Sequence, residues 1–238
     1  LDEFKVIFWW EWAHRFLGRI IGLFFLIPLI YFIFKLGLKK TKPYLFIFAL
    51  ICIQGFIGWY MVMSGLVNKV DVSHFRLSLH LTTAFIILTL ILWQILNLKI
   101  KLNSNYGFIK FRLPEIFILL IFLQIIVGAF VSGMDAGKIY NSWPLMGSTF
   151  FPNDNNIYNL FKISAFSEPS LVQFMHRNLA YIIMSVYLIT LYLIISNRLI
   201  KFNKIIIVLG LILLLQIVLG ILTVTSGAQM FIASMHQI

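Results

Sequence analysis

Four histidines in this chain belong to a repeated sequence pattern, and together they could bind a metal. His14 and His176 each precede an arginine in an apolar stretch, and the two histidines are 162 positions apart (176 − 14). Further residues share this offset, namely Gln54 with Gln216, Gly58 with Gly220, and Ser64-Gly65 with Ser226-Gly227. Each copy also contains a second histidine, His80 or His236, near the start of another apolar stretch. The pattern predicts a duplicated unit with two histidines per copy.

Imidazole nitrogens are ligands for iron, copper and zinc. No cysteine pair or carboxylate cluster accompanies these histidines, which argues against a zinc or di-iron site. Two histidines from neighbouring helices with apolar walls suit bis-histidine heme ligation. The alternative is that they are ordinary hydrogen-bonded polar groups, although ionisable residues in membrane helices are functional candidates by default. The fifth histidine, His74, has no counterpart in the repeat and is expected to be an interfacial polar residue.

The composition indicates an integral membrane protein. Hydrophobic residues make up 61% of the chain and charged residues 11%, whereas a soluble domain has about a quarter charged residues. The formal net charge of +11 could indicate a nucleic-acid partner. Most of the basic residues, however, fall in loops on one side of the predicted membrane, and this excludes that reading. The single cysteine, Cys52, lies in an apolar stretch and is expected to be a small apolar residue.

Six segments are long and apolar enough to span a bilayer, which takes about 20 residues, and a seventh begins near 229 and is cut short. The six segments are 10–35, 44–65, 76–97, 115–134, 172–196 and 204–225. Backbone polar groups must be satisfied within each span, so helices are the expected form. The predicted fold class is all-α, a polytopic transmembrane helical bundle with pseudo-symmetric halves.

The distribution of basic residues predicts the orientation of the spans. The loops after spans one, three and five are rich in lysine and arginine, and the positive-inside rule places them in the cytoplasm. These residues are Lys35, Lys39, Lys40, Lys42, Lys99, Lys101, Lys110, Arg112, Arg198, Lys201 and Lys204. The opposite loops are poor in charge, with Lys69 and Asp71 in one of them. The four repeated histidines then lie near the outer ends of alternate spans. The long segment 135–171 lies outside and is expected to be an ordered cap.

One acidic residue breaks the symmetry of the repeat. Glu11 precedes His14 by three positions and shares its helix face, whereas the repeat counterpart of Glu11 is the neutral Gln173. A carboxylate in one copy suggests that the first copy does chemistry and the second transfers electrons. Glu11 could accept a proton or stabilise a developing cation. The alternative is an interfacial ion pair with Arg15 or Arg19.

An arginine follows the first histidine of each copy directly. Arg15 and Arg177 could bind heme propionates, because the planar guanidinium fork suits carboxylates. They could instead extend to lipid headgroups. The residue types leave both interpretations open.

The motif Gln-x-x-x-Gly occurs three times in the apolar spans. The pairs are Gln54 with Gly58, Gln124 with Gly128, and Gln216 with Gly220. A small residue lets two helices approach closely, and an amide can form a hydrogen bond between them. We therefore favour interhelical packing with one hydrogen bond over a direct contact with a cofactor.

Several stretches along the whole chain resemble one known family. They are EWAHRFLGR at 11–19, QGFIGWYMVMSG at 54–65, HFRLSLHL at 74–81, GMDAGKIYNSWPLM at 133–146, QFMHR at 173–177 and HQ at 236–237. The chain resembles the heme A synthase family, and in particular its proteobacterial and mitochondrial branch. These membrane enzymes convert heme O to heme A for cytochrome oxidase.

The resemblance implies an organisation for the whole molecule. The family has eight transmembrane helices in two four-helix halves, so this sequence would lack the first helix and most of the last. The N-terminal half-bundle would be 1–113, with the substrate site, and the C-terminal half-bundle 114–238, with a cofactor site. The implied location is the bacterial inner membrane, with the histidines toward the periplasm. Heme O synthase, an electron acceptor and a second copy of the chain are candidate partners besides the lipid.

The resemblance also implies roles for the site residues. A heme b would be held by the second histidine pair, and heme O would bind at the first pair with the carboxylate near its reacting edge. The residues concerned are His176 and His236 for heme b, and His14, His80 and Glu11 for heme O. The implied reaction oxidises a ring methyl, through an alcohol and a hydrated aldehyde, to a formyl group.

Two other functions fit parts of the pattern. A non-enzymatic diheme b-type cytochrome would use both histidine pairs to transfer electrons, but it has no need of a carboxylate in one copy only. A structural assembly factor for oxidase would use the histidines as packing groups and would bind no heme. The asymmetry at Glu11 therefore favours the enzyme.

Overall fold

The computed structural model describes residues 2–65, 72–99 and 112–237, and these residues are almost entirely helical. Seven α-helices follow one another: α1 Asp2–Leu36, α2 Leu38–Gly65, α3 His74–Lys99, α4 Leu113–Gly133, α5 Pro169–Ser196, α6 Asn203–Thr225 and α7 Met230–Gln237. Short 3₁₀ turns lie at Ala136–Lys138, Ile157–Phe161, Ile163–Ser167 and Ile200–Phe202. In the described ranges, extended pairing is limited to one bridge between Met146 and Thr149. The predicted all-α class is confirmed.

Six of these helices, α1 to α6, are long and apolar enough to cross a membrane. At most 17% of the most apolar window of any of them is buried within the protein. Large apolar side chains such as Phe34, which is 87% exposed, therefore face outward, where lipid rather than water is the expected surroundings. The six predicted spans are confirmed. The seventh segment forms the eight-residue helix α7.

The turn between α1 and α2 is shorter than the charge pattern predicted. A single residue, Gly37, separates the two helices, and its φ of +79° is a left-handed conformation that glycine adopts without strain. The predicted loop residues Lys39, Lys40 and Lys42 lie in the first turns of α2, and Lys204 lies in α6. The Thr41 hydroxyl, which is buried, donates to the Gly37 carbonyl and satisfies it at the turn.

The membrane orientation stays a prediction. Lys101 and Lys110, which contribute to the cytoplasmic charge, lie outside the described residues. The same holds for Lys69 and Asp71 of an opposite loop.

The helices group into two compact units. The first contains α1, α2 and α3 from Leu79 onward, and the second contains Ser73–Ser78 and α4 to α7. In the first unit α1 packs on α2, with Leu29 and Ile47 buried and the rings of Phe25 and Phe48 stacked. The predicted division at 113/114 concerns function, a substrate half and a cofactor half, and it stays a prediction.

The second unit is built on the contact of α4 with α5 and of α5 with α6. Val127 and Phe130 of α4 pack with Val172 of α5 in one apolar cluster. Tyr187 of α5 belongs to a second cluster, and its hydroxyl donates to the backbone carbonyl of Ile206 on α6. The ring of Tyr187 lies where a side chain on Gly210 would be, so this glycine allows α5 and α6 to approach closely.

The predicted outer segment is ordered by its own hydrogen bonds. It leaves α4 at Gly133 and enters α5 at Pro169, a residue suited to a first helical position. The Tyr140 hydroxyl donates to the carboxylate of Asp154 at 2.9 Å. Partial burial, and then the neighbouring Asp154, raise the pKa of Tyr140.

Candidate functional site

The first unit brings the ring of His14 on α1 next to the ring of His80 on α3, in an edge arrangement. Their ring centroids lie 6.3 Å apart, and the ring planes are inclined by 70°. His14 is exposed, whereas His80 is half-buried. Two residues that are 66 positions apart in the sequence (80 − 14) thus become a pair, as the repeat predicted.

The second unit contains an equivalent pair, His176 of α5 and His236 of α7. The ring centroids lie 6.2 Å apart with an interplanar angle of 87°. Both side chains are half-buried. The two pairs therefore have nearly the same geometry in separate units, although the sequence interval is six residues shorter in the second.

The separation of the rings leaves room for one metal ion in each pair. A metal–imidazole bond of about 2.0–2.1 Å on each side accounts for about 4 Å of the distance. The distance from each ring centre to its nitrogen accounts for the rest. Within the described ranges, no group of three or more histidine, cysteine or carboxylate side chains could hold a metal ion. Two imidazoles without a further protein ligand would suit heme iron, whose other ligands come from the macrocycle.

Three of the four histidine rings rest against a glycine on the preceding helix. A Cβ built on Gly58 would meet His80 Cε1 at 2.9 Å, one on Gly128 would meet His176 Cε1 at 3.1 Å, and one on Gly220 would meet His236 Cε1 at 3.0 Å. The Nδ1 atoms of these three rings are buried without a hydrogen-bond partner among the described residues. A buried nitrogen without a partner is costly, so each of these rings carries one polar atom that nothing in the described residues satisfies.

The glutamines of the same motif bond the histidine helices. Gln54 Nε2 donates to the His80 carbonyl at 2.9 Å, and Gln124 Nε2 donates to the His176 carbonyl at 3.2 Å. Interhelical packing with one hydrogen bond, the interpretation favoured from the sequence, is observed at Gln54, whereas Gln124 Nε2 also lies 3.3 Å from the ring nitrogen Nε2 of His176. The sequence did not reveal that the packed residue is a repeated histidine in each case, because the spacing of four only places glutamine and glycine on one helix face.

Glu11 forms an ion pair with Arg15. Arg15 Nη2 lies 2.9 Å from Glu11 Oε2, and Arg15 Nε donates to the Glu11 carbonyl. Both side chains are about half exposed, so the pair orients the carboxylate more than it stabilises the helix. The interfacial ion pair that the sequence left as an alternative is thus present, one turn from His14. It does not preclude a chemical role for the carboxylate.

Arg177 differs from its repeat counterpart Arg15, because it bonds the outer segment. Its guanidinium donates to the backbone carbonyls of Tyr140 and Ser142 at 2.9 Å and of Leu145 at 3.3 Å. The buried Gln173 donates to the same Tyr140 carbonyl at 3.0 Å. Neither propionate binding nor contact with lipid headgroups predicts these bonds, and sequence reasoning missed them because the partners are backbone atoms. Propionate binding by Arg15 or Arg177 stays a prediction.

A further hydrogen bond of the outer segment to α5 joins two side chains. Trp143 Nε1 donates to the Tyr181 hydroxyl on α5 at 3.1 Å. The aromatic and proline content of the segment was the only sequence signal for this order. The segment is therefore fastened to α5 on both sides of His176.

His74 lies apart from both pairs. It is the first residue of α3, and its ring contacts Phe75 and Phe130 at centroid distances of 4.1 and 5.5 Å. Its Cα lies 2.9 Å from the position of a Cβ on Gly133. Its Nε2 is buried. His74, which the sequence suggested to be an interfacial polar residue, therefore packs against the end of α4.

The fold and this geometry define a multi-pass helical membrane protein with two pairs of neighbouring histidine rings, one pair in each unit. The whole chain, residues 1–238, matches the family described as cytochrome oxidase assembly protein, COX15-CtaA. The chain therefore belongs to this family, and the resemblance drawn from its motifs is confirmed.

Relatives named heme A synthase align with the whole chain. The protein of Pelagibacter ubique (strain HTCC1062) is 49% identical over 100% of this chain and 70% of its own length. The proteins of Rickettsia bellii (strain OSU 85-389) and Rickettsia africae (strain ESF-5) are 43% and 42% identical, over 100% of this chain and 72% of theirs. No solved structure matches the chain.

We expect Arg177→Lys to loosen the outer segment. A lysine cannot reproduce the fork that bonds three carbonyls, and each lost hydrogen bond contributes about 1 kcal/mol. Amide hydrogen exchange in 140–149 should become about tenfold faster. Lys138→Gln is the matched control, because it removes a cation from the same segment that only forms an exposed pair with Asp135. Unchanged exchange together with a loss of bound heme would instead assign the arginine to the propionates.

Proposed function

We propose that this chain is a heme A synthase, a membrane oxidoreductase that oxidises a ring methyl of heme O to the formyl group of heme A. The observation that carries the proposal is the pair of facing histidines in each unit, in a chain that aligns in full with proteins of that name. A methyl-to-formyl oxidation on a hydrophobic macrocycle suits a site inside a membrane bundle. With water as the source of the formyl oxygen, the conversion releases four protons and four electrons, so it also requires an electron acceptor.

We propose different roles for the two pairs. His176 and His236 hold a resident heme b, and His14 and His80 frame heme O as the substrate. The support is the asymmetry between the copies, since the carboxylate Glu11 accompanies only the first pair. The outer segment fastened to α5 through Arg177 also suits retention of a permanent cofactor in the second unit.

The side chains of the first unit have distinct tasks in this proposal. His14 and His80 orient the substrate macrocycle from opposite sides, and Glu11, one turn from His14, accepts a proton or stabilises positive charge at the reacting edge. Arg15 holds the Glu11 carboxylate at 2.9 Å and can share its guanidinium with a propionate. The heme iron supplies the redox chemistry when it is bound.

We further propose a location in the bacterial inner membrane with both histidine pairs toward the periplasm. The basic residues at the opposite helix ends support this orientation. Heme O synthase as supplier of the substrate, an electron acceptor and a homo-oligomeric state belong to the same proposal.

The test of the proposed activity is the analysis of hemes extracted from cells that make heme O. We expect the complete protein to produce heme A, detected by chromatography, and cells without the gene to accumulate heme O. Unchanged heme O beside a low-spin b spectrum of the purified protein would contradict the synthase and support an electron-transfer cytochrome. Purified protein without any heme would leave only a structural assembly role.

We expect His176→Ala and His236→Ala each to lose the heme of the second unit. Removal of one imidazole would leave a single histidine to bind the iron, so the low-spin absorption of that heme should nearly disappear. His74→Ala is the control, because it removes an imidazole of the same unit that belongs to neither pair. Heme content equal to that of the wild type in both ligand variants would exclude the assignment.

We expect Glu11→Gln to keep heme b and to lower the rate of heme A formation by about 10²-fold, the lower range for a lost acid–base group. This substitution gives the first copy the residue type that the second has at Gln173. Arg15→Gln breaks the same ion pair and leaves the carboxylate, so it separates the two effects. An equal loss in both variants would argue against a separate role for the carboxylate, and a wild-type rate in Glu11→Gln would remove it from the mechanism.

A further inference from the structure

The same contact recurs between α2 and α3, between α4 and α5, and between α6 and α7. In each case a glycine of the even-numbered helix faces the Cε1 edge of a histidine ring on the next helix, with 2.9 to 3.1 Å from an ideal Cβ to that atom. The distance at Gly58 is one that real Cβ atoms essentially never show, and the distances at Gly128 and Gly220 are tighter than nine in ten real Cβ contacts. A side chain at any of the three positions would therefore require the histidine ring to move.

Contact with the glycine backbone limits how these three rings are turned, and His176 Nε2 also lies 3.3 Å from Gln124 Nε2. The Nδ1 atoms of His80, His176 and His236 have no hydrogen-bond partner in the described part of the chain. Metal-binding histidines usually have their ring orientation fixed by a hydrogen bond from the second nitrogen. Here the helix backbone at the glycine lies against the edge of the ring instead.

In two of the three contacts, the glutamine one turn before the glycine fixes the position of the histidine main chain. Gln54 and Gln124 donate to the backbone carbonyls of His80 and His176. The bonds to the His80 and His176 carbonyls hold those main chains at a set height along the even-numbered helix. The glycine then limits the rotation of the side chain.

We propose that Gly58, Gly128 and Gly220 are positioning residues that set the orientation of the axial imidazoles and thereby the ligand field of the bound heme. This inference rests on the proposed function, because it takes the histidines as heme ligands. Ligand orientation and surroundings are among the means by which a protein tunes heme iron. An added methyl group would turn the ring without removing the ligand.

The chain offers matched controls for this idea. Gly133 shares α4 with Gly128, and a Cβ there would meet the backbone of His74, which is in neither pair. Gly210 shares α6 with Gly220, and a Cβ there would collide with Tyr187. Gly55 lies one turn from Gly58, and a Cβ there would meet nothing within 4 Å.

The experiment compares alanine variants of the complete protein, purified from membranes, by heme content and by electron paramagnetic resonance of the ferric hemes. We expect Gly128→Ala and Gly220→Ala to shift the largest g value of the heme b signal, or to release that heme from protein that stays monodisperse. Gly58→Ala should change only the signal of the other heme. Gly133→Ala and Gly210→Ala should lower thermal stability and leave both signals unchanged, and Gly55→Ala should change neither the thermal stability nor the signals.

Unchanged g values with full heme content in Gly128→Ala and Gly220→Ala would overturn the positioning role. Equal heme loss in Gly133→Ala and Gly210→Ala would also overturn it, because the effect would then be general disruption. The spectra separate this inference from the activity. Wild-type protein that binds heme but makes no heme A would contradict the synthase alone, whereas wild-type protein without heme would contradict both.

Discussion

The close fit of an imidazole ring against a glycine on the neighbouring helix is the constraint on which the site depends. It limits how near α3 lies to α2, α5 to α4 and α7 to α6, since a side chain at Gly58, Gly128 or Gly220 would require the ring to move. Apolar surface between membrane helices gives little preference for one register, because lipid is as apolar as the helix. A steric fit combined with a partly buried hydrogen bond from a glutamine amide supplies the missing specificity.

The two copies of the repeat use their arginines in different ways. Arg15 pairs with Glu11 within its own helix. In the second copy the position of Glu11 is taken by the neutral Gln173, and both Gln173 and Arg177 bond backbone carbonyls of the outer segment. A single change of residue type thus leaves a carboxylate beside the first histidine pair, and it frees the arginine beside the second pair to hold a loop.

This division fits an enzyme that has both a substrate and a resident cofactor of the same chemical kind. Both pairs have ring separations near 6 Å, so the ligands alone do not distinguish them. The distinction comes from what surrounds the rings: a charged pair next to His14, and a segment fastened by Arg177, Gln173 and the Trp143–Tyr181 bond next to His176.

The sequence by itself determined the helical membrane class, the six spans and the presence of two histidines in each copy, because hydropathy over about 20 residues and a repeat in the sequence do not depend on tertiary contacts. It placed the lysines after α1 in a loop, but Gly37 alone makes that turn. Only the tertiary structure decided that Arg177 bonds backbone carbonyls, that His74 packs on α4, and that the three motif glycines face histidine rings. These contacts join residues from different helices, and the partner is a backbone atom or a ring edge that carries no sequence signal of its own.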